Sequence, residues 1–465
     1  MSHASFISSD DIRTLFSQAM SKMYQNEVPQ YGKLIDLVKA VNHETLKVDV
    51  ALHKQLAYSH QLSRLGLERH GAIRVGTASE LANLRRLFAV MGMEAVGYYD
   101  LTVASVPVHS TAFRPITAQA LAINPFRVFT SLLRLELIEN IALREQAQTI
   151  LDNRNIFTPR CLALINQFEQ AGGLTQAQAA EFIHEALYTF KWHQEATVNA
   201  QAYHNFRQVH PLVADVVCFK GPHINHLTPR TLDIDAVQHQ MPVWGIKPKQ
   251  TIEGPPRRQC PILLRQTSFM ALSESIVFNE SGSTAGQHTA RFGEVEQRGL
   301  ALTKDGRKLY DDLLGQVRLQ MQGVDQSDYS RVYPDVLSEV FKQFPDDWKT
   351  LQEQALGYFY AYANLDLLRQ KPIEGSPPWH KLVADGYVLF EPMIYEDFLP
   401  VSAAGIFQSN LGNENQDKAY QARSNQDSFQ EALGVKVHDE FVLYANLQQV
   451  SILNTQRALG VMRAE

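Results

Sequence analysis

RHGAIRVG (69–76), TASELANLRRLFAVMGM (77–93) and EAVGYYDLTVA (94–104) read in succession as strand, helix and strand. In the middle piece Thr77 and Glu80 have the spacing of a capping box. Leu81, Leu84, Leu87, Phe88 and Met91 then recur at helical steps along one apolar face. Gly92 offers a helix stop, and VGYYDLTVASVPVHSTAF (96–113) continues as two strands. The same order returns later in the chain as VVCFKGPHINHL (216–227), TPRTLDIDAVQHQM (228–241), IKPKQTIEG (246–254), ILLRQTSFMAL (262–272) and ARFGEVEQRG (290–299). Its helix is expected to begin near Thr228 or Thr231, with Pro229 tolerated in the first turn. A strand, a helix and further strands used twice predict a cupped sheet with residues of both halves facing inward. Each copy carries a histidine at its head, His70 in the first and His226 in the second.

Outward from these two units the chain reads as follows. Residues 1–60 are expected to be helical, with Ile12, Leu15, Phe16 and Met20, then Leu34, Leu37 and Val38, at three- and four-residue steps. The first sheet-forming unit spans 61–120 and the second 208–300. Between them, 121–207 reads as a helical insertion, as in PFRVFTSLLRLELIENIAL (125–143) and TQAQAAEFIHEALYTFKWHQEATVNAQAY (175–203). The remainder, 301–465, mixes helices such as DWKTLQEQALGYFYAYANLDLL (347–368) with the strand-like DGYVLFEPMIYEDFLPVSAAGIF (385–407). The polar stretch SNLGNENQDKAYQARSNQDS (409–428) reads as a loop or lid, and the whole of 1–465 as one compact catalytic unit.

Composition narrows the function. With 45% hydrophobic residues in 465, the chain can bury a large core. Its 43 basic and 49 acidic residues show no basic stripe, which argues against nucleic acid and anionic membrane as partners. An anionic substrate would therefore meet a few placed arginines rather than a general positive field. Cys161, Cys218 and Cys260 are far apart and odd in number, which fits a reducing compartment rather than a disulfide framework. The N-terminal MSHASFISSDDIRTLF is not a signal peptide, and no run approaches the ~20 apolar residues of a membrane span, so a cytoplasmic protein is expected.

In a strand, residues i and i+4 point the same way, so Arg74 shares the face of His70. A histidine ligand and a fixed guanidinium on one face suit a metal-bound carboxylate compound. His223 and His226 are both candidates for a second ligand. An odd separation puts them on opposite strand faces, and the parallel with His70 favours His226. Glu294 and Glu296 alternate with Val295 and share one face, so spacing leaves both open as the carboxylate, with Gly293 permitting close backbone approach. Two histidines and one carboxylate would leave three adjacent positions open, enough for a bidentate 2-oxo acid and dioxygen on non-haem Fe(II). The plain alternatives are a backbone-satisfied His70 beside a salt-bridged Arg74, a turn histidine at His223 and exposed acids paired with Arg291 or Arg298. The chain has no G-x-S-x-G elbow, no Walker phosphate loop and no G-x-G-x-x-G after a strand. LTKDGRKLYDDLL (302–314) passes for part of a winged helix, but the missing basic surface argues against a DNA reader.

RHGAIRVGT (69–77), GPHINHLTPR (221–230), RFGEVEQRG (291–299) and LPVSAAGIFQSNL (399–411) resemble the signature segments of the hydroxyglutarate synthase family, the 2-oxoadipate dioxygenase/decarboxylases. The likeness spans nearly the whole chain. It implies an α+β fold with a core like that of the vicinal oxygen chelate proteins: paired βαβββ units forming a cupped sheet, with extensive helical insertions. It implies Fe(II) held by His70, His226 and Glu294, and substrate contacts at His70, Arg74 and the backbone of Val401 and Ser402. Gln266, on an adjacent predicted strand, is a further substrate-binding candidate. The implied reaction takes 2-oxoadipate and O2 to 2-hydroxyglutarate and CO2, a step of lysine breakdown. Two competing readings are an extradiol-type or glyoxalase-like metalloenzyme on the same scaffold and a non-catalytic binding protein with structural histidines.

Overall fold

Two histidine-bearing strands, one from each of the two similar units, lie side by side within an eight-stranded sheet. The structure, a computed structural model, describes residues 5–58, 61–102, 105–280, 285–399 and 422–461. Contact density divides the chain into two compact units, where the sequence suggests one. The first comprises residues 1–253, 266–297 and 398–438, and the second 254–265, 298–397 and 439–465.

The first unit opens with α1 (Ser9–Glu27), capped by Ser8 on the Asp11 amide, and α2 (Pro29–Val48), which starts on Pro29. Then come β1 (Arg69–Val75), α3 (Ala78–Val90), β2 (Glu94–Asp100), β3 (Val108–Arg114) and β4 (Arg127–Leu133). The Thr77 hydroxyl caps α3 on the Glu80 amide as its spacing predicts. β4 lies in a stretch expected to be helical. All seven of its residues are buried, so RVFTSLL lacks the polar alternation that separates a strand from a core helix. It runs parallel to β1 and antiparallel to β3, completing a βαβββ unit.

The second copy is preceded by α4 (Pro211–Val217), so the VV of 216–217 closes a helix instead of opening a strand. β5 (His226–Pro229), α5 (Ile234–Gln240), β6 (Leu264–Ser268), β7 (Leu272–Val277) and β8 (Ala285–Arg298) follow. The helix starts later than expected, because Asp233 caps it through the Ala236 amide while Thr228 and Pro229 stay in β5. Residues 246–254 form no strand and make two isolated bridges, Pro248 with Phe269 and Glu253 with Gln266. The sheet order is β2-β3-β4-β1-β5-β8-β6, with β7 also pairing with β8. The fold is α+β.

Strand parity separates two cores. Ile73 and Val75 face the cluster built with Phe16, Leu34 and Phe88 of α1, α2 and α3. Ala72 faces the other, with Tyr99, Phe129 and Phe398. Each large apolar side chain buried in this way contributes roughly 1.5–3 kcal/mol.

The second unit holds an antiparallel pair, β9 (Phe359–Ala363) and β10 (Val388–Pro392), and α6 (Glu440–Ala458), whose Thr455 hydroxyl bonds the Ala361 carbonyl. FYAYA in β9 interrupts a stretch expected to be wholly helical, its aromatic residues favouring a pleated surface. The expected loop at 409–428 gives way to a helix at Ala422–Leu433, and residues 409–421 lie outside the described residues. Among the described residues no helix is long and apolar enough to cross a membrane.

Candidate metal centre

Register assembles the site. In β1, His70, Ala72 and Arg74 share a face, and β5 lies antiparallel beside it with His70 opposite Thr228 and Ala72 opposite His226. β8 runs parallel on the far side of β5, with Phe292 opposite His226, so Glu294 falls two residues further along the same face. Gly293, between them, sits under the Phe269 ring, which a Cβ would strike, so the backbone approaches closely there.

One ligand atom from each of His70, His226 and Glu294 lies within 4.8 Å of the other two. All three residues are fully buried. Glu294 divides its two oxygens. Oε1 accepts from Gln266 Nε2 at 2.6 Å and Thr228 Oγ1 at 3.3 Å, and lies 3.1 Å from His70 Nε2. Oε2 has no hydrogen-bond partner among the described residues, and neither ring nitrogen of His226 has one. A buried polar atom left unpaired costs about 1–3 kcal/mol, and native proteins leave few of them. One His226 nitrogen and one Glu294 oxygen meeting beside a His70 nitrogen fit a cation. The set is two imidazoles and one carboxylate, the donor chemistry of a divalent transition metal with open coordination positions.

Electrostatics sort the two histidines. Burial, together with the charges of His70 and Arg74, holds His226 well below its ordinary pKa, so it is a neutral donor. Burial also pulls His70 down, but Glu296 and Glu294 outweigh it and leave its pKa raised. Glu296 Oε2 lies 3.0 Å from His70 Nδ1. A carboxylate behind a metal-ligating imidazole fixes its tautomer and orientation. The chain of buried charge continues from Glu296 Oε1 to Arg127 at 3.5 Å, from Arg127 to Glu68 at 2.7 Å and from Glu68 to Arg230 at 3.1 Å.

Around the donors, the Phe398 ring lies 5.0 Å from His70 and the Phe292 ring 4.9 Å from His226, both by centroid. Lys249 Nζ stands 5.6 Å over Phe292, its pKa pushed down to about 8 by burial against the pull of Glu253 and Glu294. Arg74, on the His70 face of β1, donates from Nη1 to Asp215 Oδ2 at 2.8 Å.

Of the residues singled out by sequence, the structure brings His70, His226, Glu294 and Gln266 together and puts Arg74 on the same strand face. His223 is turned away, 3.5 Å from Asp215, with burial pushing its pKa down to about 3. Glu296 stands behind His70. Val401 and Ser402 lie outside the described residues. Thr228, two residues beyond His226, shares its strand face by the same parity that pairs Glu294 with Glu296. Asp215, Phe398 and Lys249 carry no local signal, since each arrives from a distant segment.

A family model described as 2-oxoadipate dioxygenase/decarboxylase matches residues 16–410. The chain is 53% identical to the 2-oxoadipate dioxygenase/decarboxylase of Pseudomonas putida over 457 residues, 98% of each chain. It is 55% identical to the Escherichia coli protein of the same name over 449 residues, 96% of this chain and 98% of that one. Among solved structures, it is similar to the hydroxyglutarate synthase of Pseudomonas putida in complex with 2-oxoadipate. That match has a TM-score of 0.91 and 52% identity, and covers 98% of this chain and 99% of the other.

Proposed function

This chain belongs to the 2-oxoadipate dioxygenase/decarboxylase family, and on that premise we propose that it is an Fe(II) enzyme converting 2-oxoadipate and O2 to 2-hydroxyglutarate and CO2. The observation that carries the reading is the convergence of unpaired buried donors on His226 and Glu294 beside His70. His70, His226 and Glu294 would hold the iron. When bound, iron supplies Lewis acidity and dioxygen activation at the open positions such a donor set leaves.

The protein's part is positioning. Gln266 and Thr228 occupy Glu294 Oε1, which leaves Oε2 to serve the cation. Glu296, paired with Arg127, stands 3.0 Å from Nδ1 of His70, which would leave Nε2 for the same point. Arg74 supplies a forked cation for a substrate carboxylate on the His70 face. Val401 and Ser402 are assigned to substrate binding through their backbone. Phe398 and Phe292 wall the imidazoles with rings, limiting water and strengthening the electrostatics inside.

The stoichiometry closes without another reductant. The bond between the oxo carbon and its neighbouring carboxyl group breaks, and that carboxyl group leaves as CO2. One oxygen atom of O2 ends in the new carboxylate and the other in the new hydroxyl, and the substrate provides the electrons. The test is anaerobic loading with Fe(II) followed by oxygen and 2-oxoadipate. The expected outcome is one CO2 per O2 with 2-hydroxyglutarate identified by mass. Oxygen uptake without CO2, as in ring cleavage, or no turnover by the loaded enzyme, overturns the proposal.

A further inference from the structure

Behind Arg74 lies a second buried polar cluster, for which the metal site itself provides no reason. Its hub is Asp215, on the short helix α4, where Leu212, Val213, Ala214, Val216 and Val217 are buried apolar neighbours. A carboxylate in such surroundings is costly unless both oxygens are well bonded. Here both are. Oδ2 accepts from Arg74 Nη1 at 2.8 Å and from Asn225 Nδ2 at 3.3 Å. Oδ1 lies 3.0 Å from His288 Nε2 and 3.5 Å from His223 Nε2. His288 is fixed in turn, its Nδ1 2.9 Å from the Tyr203 hydroxyl and its ring stacked on Trp192. Burial would push the Asp215 carboxyl up, but His223, His288 and Arg74 reverse this and hold it far below the usual carboxylate range.

The cluster therefore joins β1, α4, the residue before His226 and β8 through one anion. If balancing the arginine charge were all that was required, an apolar pair would serve stability as well or better. A carboxylate held by hydrogen bonds from Asn225 and His288 as well as Arg74 does something a mere counter-charge does not: it fixes the position of the guanidinium it holds. Supporting bonds of this kind set how accurately a binding side chain is aimed.

We propose that Asp215 is a positioning residue for the reaction, holding the Arg74 guanidinium at the angle and distance at which it receives the substrate carboxylate. The inference rests on the reading of Arg74 as a substrate contact. Asp215 touches neither substrate nor metal, and acts through Arg74 alone.

The experiment compares iron-loaded wild type, Arg74→Ala, Asp215→Asn and the double variant for metal per chain and for KM and kcat with 2-oxoadipate. Asp215→Asn is expected to keep its iron and raise KM by ~10–100-fold, by analogy with the scale found for groups that orient metal-ligating side chains. In the Arg74→Ala background the same change is expected to add nothing further. Wild-type KM in Asp215→Asn, or effects that multiply in the double variant, overturns the proposal while leaving the Arg74 reading intact. Wild-type KM in Arg74→Ala overturns both. Asp215→Glu covers the case in which the asparagine variant does not fold. It keeps the charge but shifts it by one methylene, so KM is expected to rise. A wild-type KM there shows simple charge balance and overturns the proposal.

Discussion

The two sides of His70 are both buried and both ionic, yet they are finished differently. Behind the ring, Glu296, Arg127, Glu68 and Arg230 form a linked series in which each charge meets an opposite one. In front, His226 keeps two ring nitrogens and Glu294 one oxygen without protein partners among the described residues. Within one sheet, ion pairs of opposite charge knit one side, while the other presents two imidazoles and a carboxylate, the donor set of the proposed metal site. The rear sets the orientation of the histidine, and the front could hold a metal ion.

The largest effects are expected at the front. His226→Ala and Glu294→Ala each abolish metal binding and turnover, read as metal per chain and product formed. Loss of iron in Glu296→Ala with retention in Glu294→Ala would exchange the roles of front and rear. Next comes the rear itself. Arg127→Met strands Glu68 and Glu296 without that cation and is expected to cost about 3–5 kcal/mol in denaturant unfolding, whereas an unchanged midpoint would make the series ornamental.

These contrasts also explain what the sequence could reveal. The heads of two similar strand–helix patterns marked His70 and His226, because a side chain's place in a repeat is a local property. The alternation Glu294-Val295-Glu296 put both acids on one face but could not choose between them. That choice is made by register, with Phe292 of β8 opposite His226 of β5, a pairing between segments far apart in the chain. β4 reads as helix in the sequence because a strand buried on both faces loses its alternation. Asp215 and His288 meet Arg74 only through tertiary packing, and nothing in their own neighbourhoods marks them.

Two smaller effects sharpen the contrast. Loading the purified chain with metal at a hundred times its Kd is expected to stabilise it by ~2.7 kcal/mol, read as a rise in Tm that a chelator reverses and that His226→Ala lacks. An equal rise in His226→Ala would place the metal elsewhere. Glu296→Gln, which keeps a hydrogen-bonding group behind His70 but removes its charge, is expected to weaken metal affinity by ~10–100-fold without abolishing it. Competition with a chelator of known affinity measures this, and an unaltered Kd would disconnect the rear from the front.

The most direct test of the central claim is anomalous diffraction at the iron edge from crystals of the loaded protein. A single peak within ~2.0–2.3 Å of nitrogens of His70 and His226 and an oxygen of Glu294 is the predicted result. A peak at another group of residues, with these three donors bare, would contradict it.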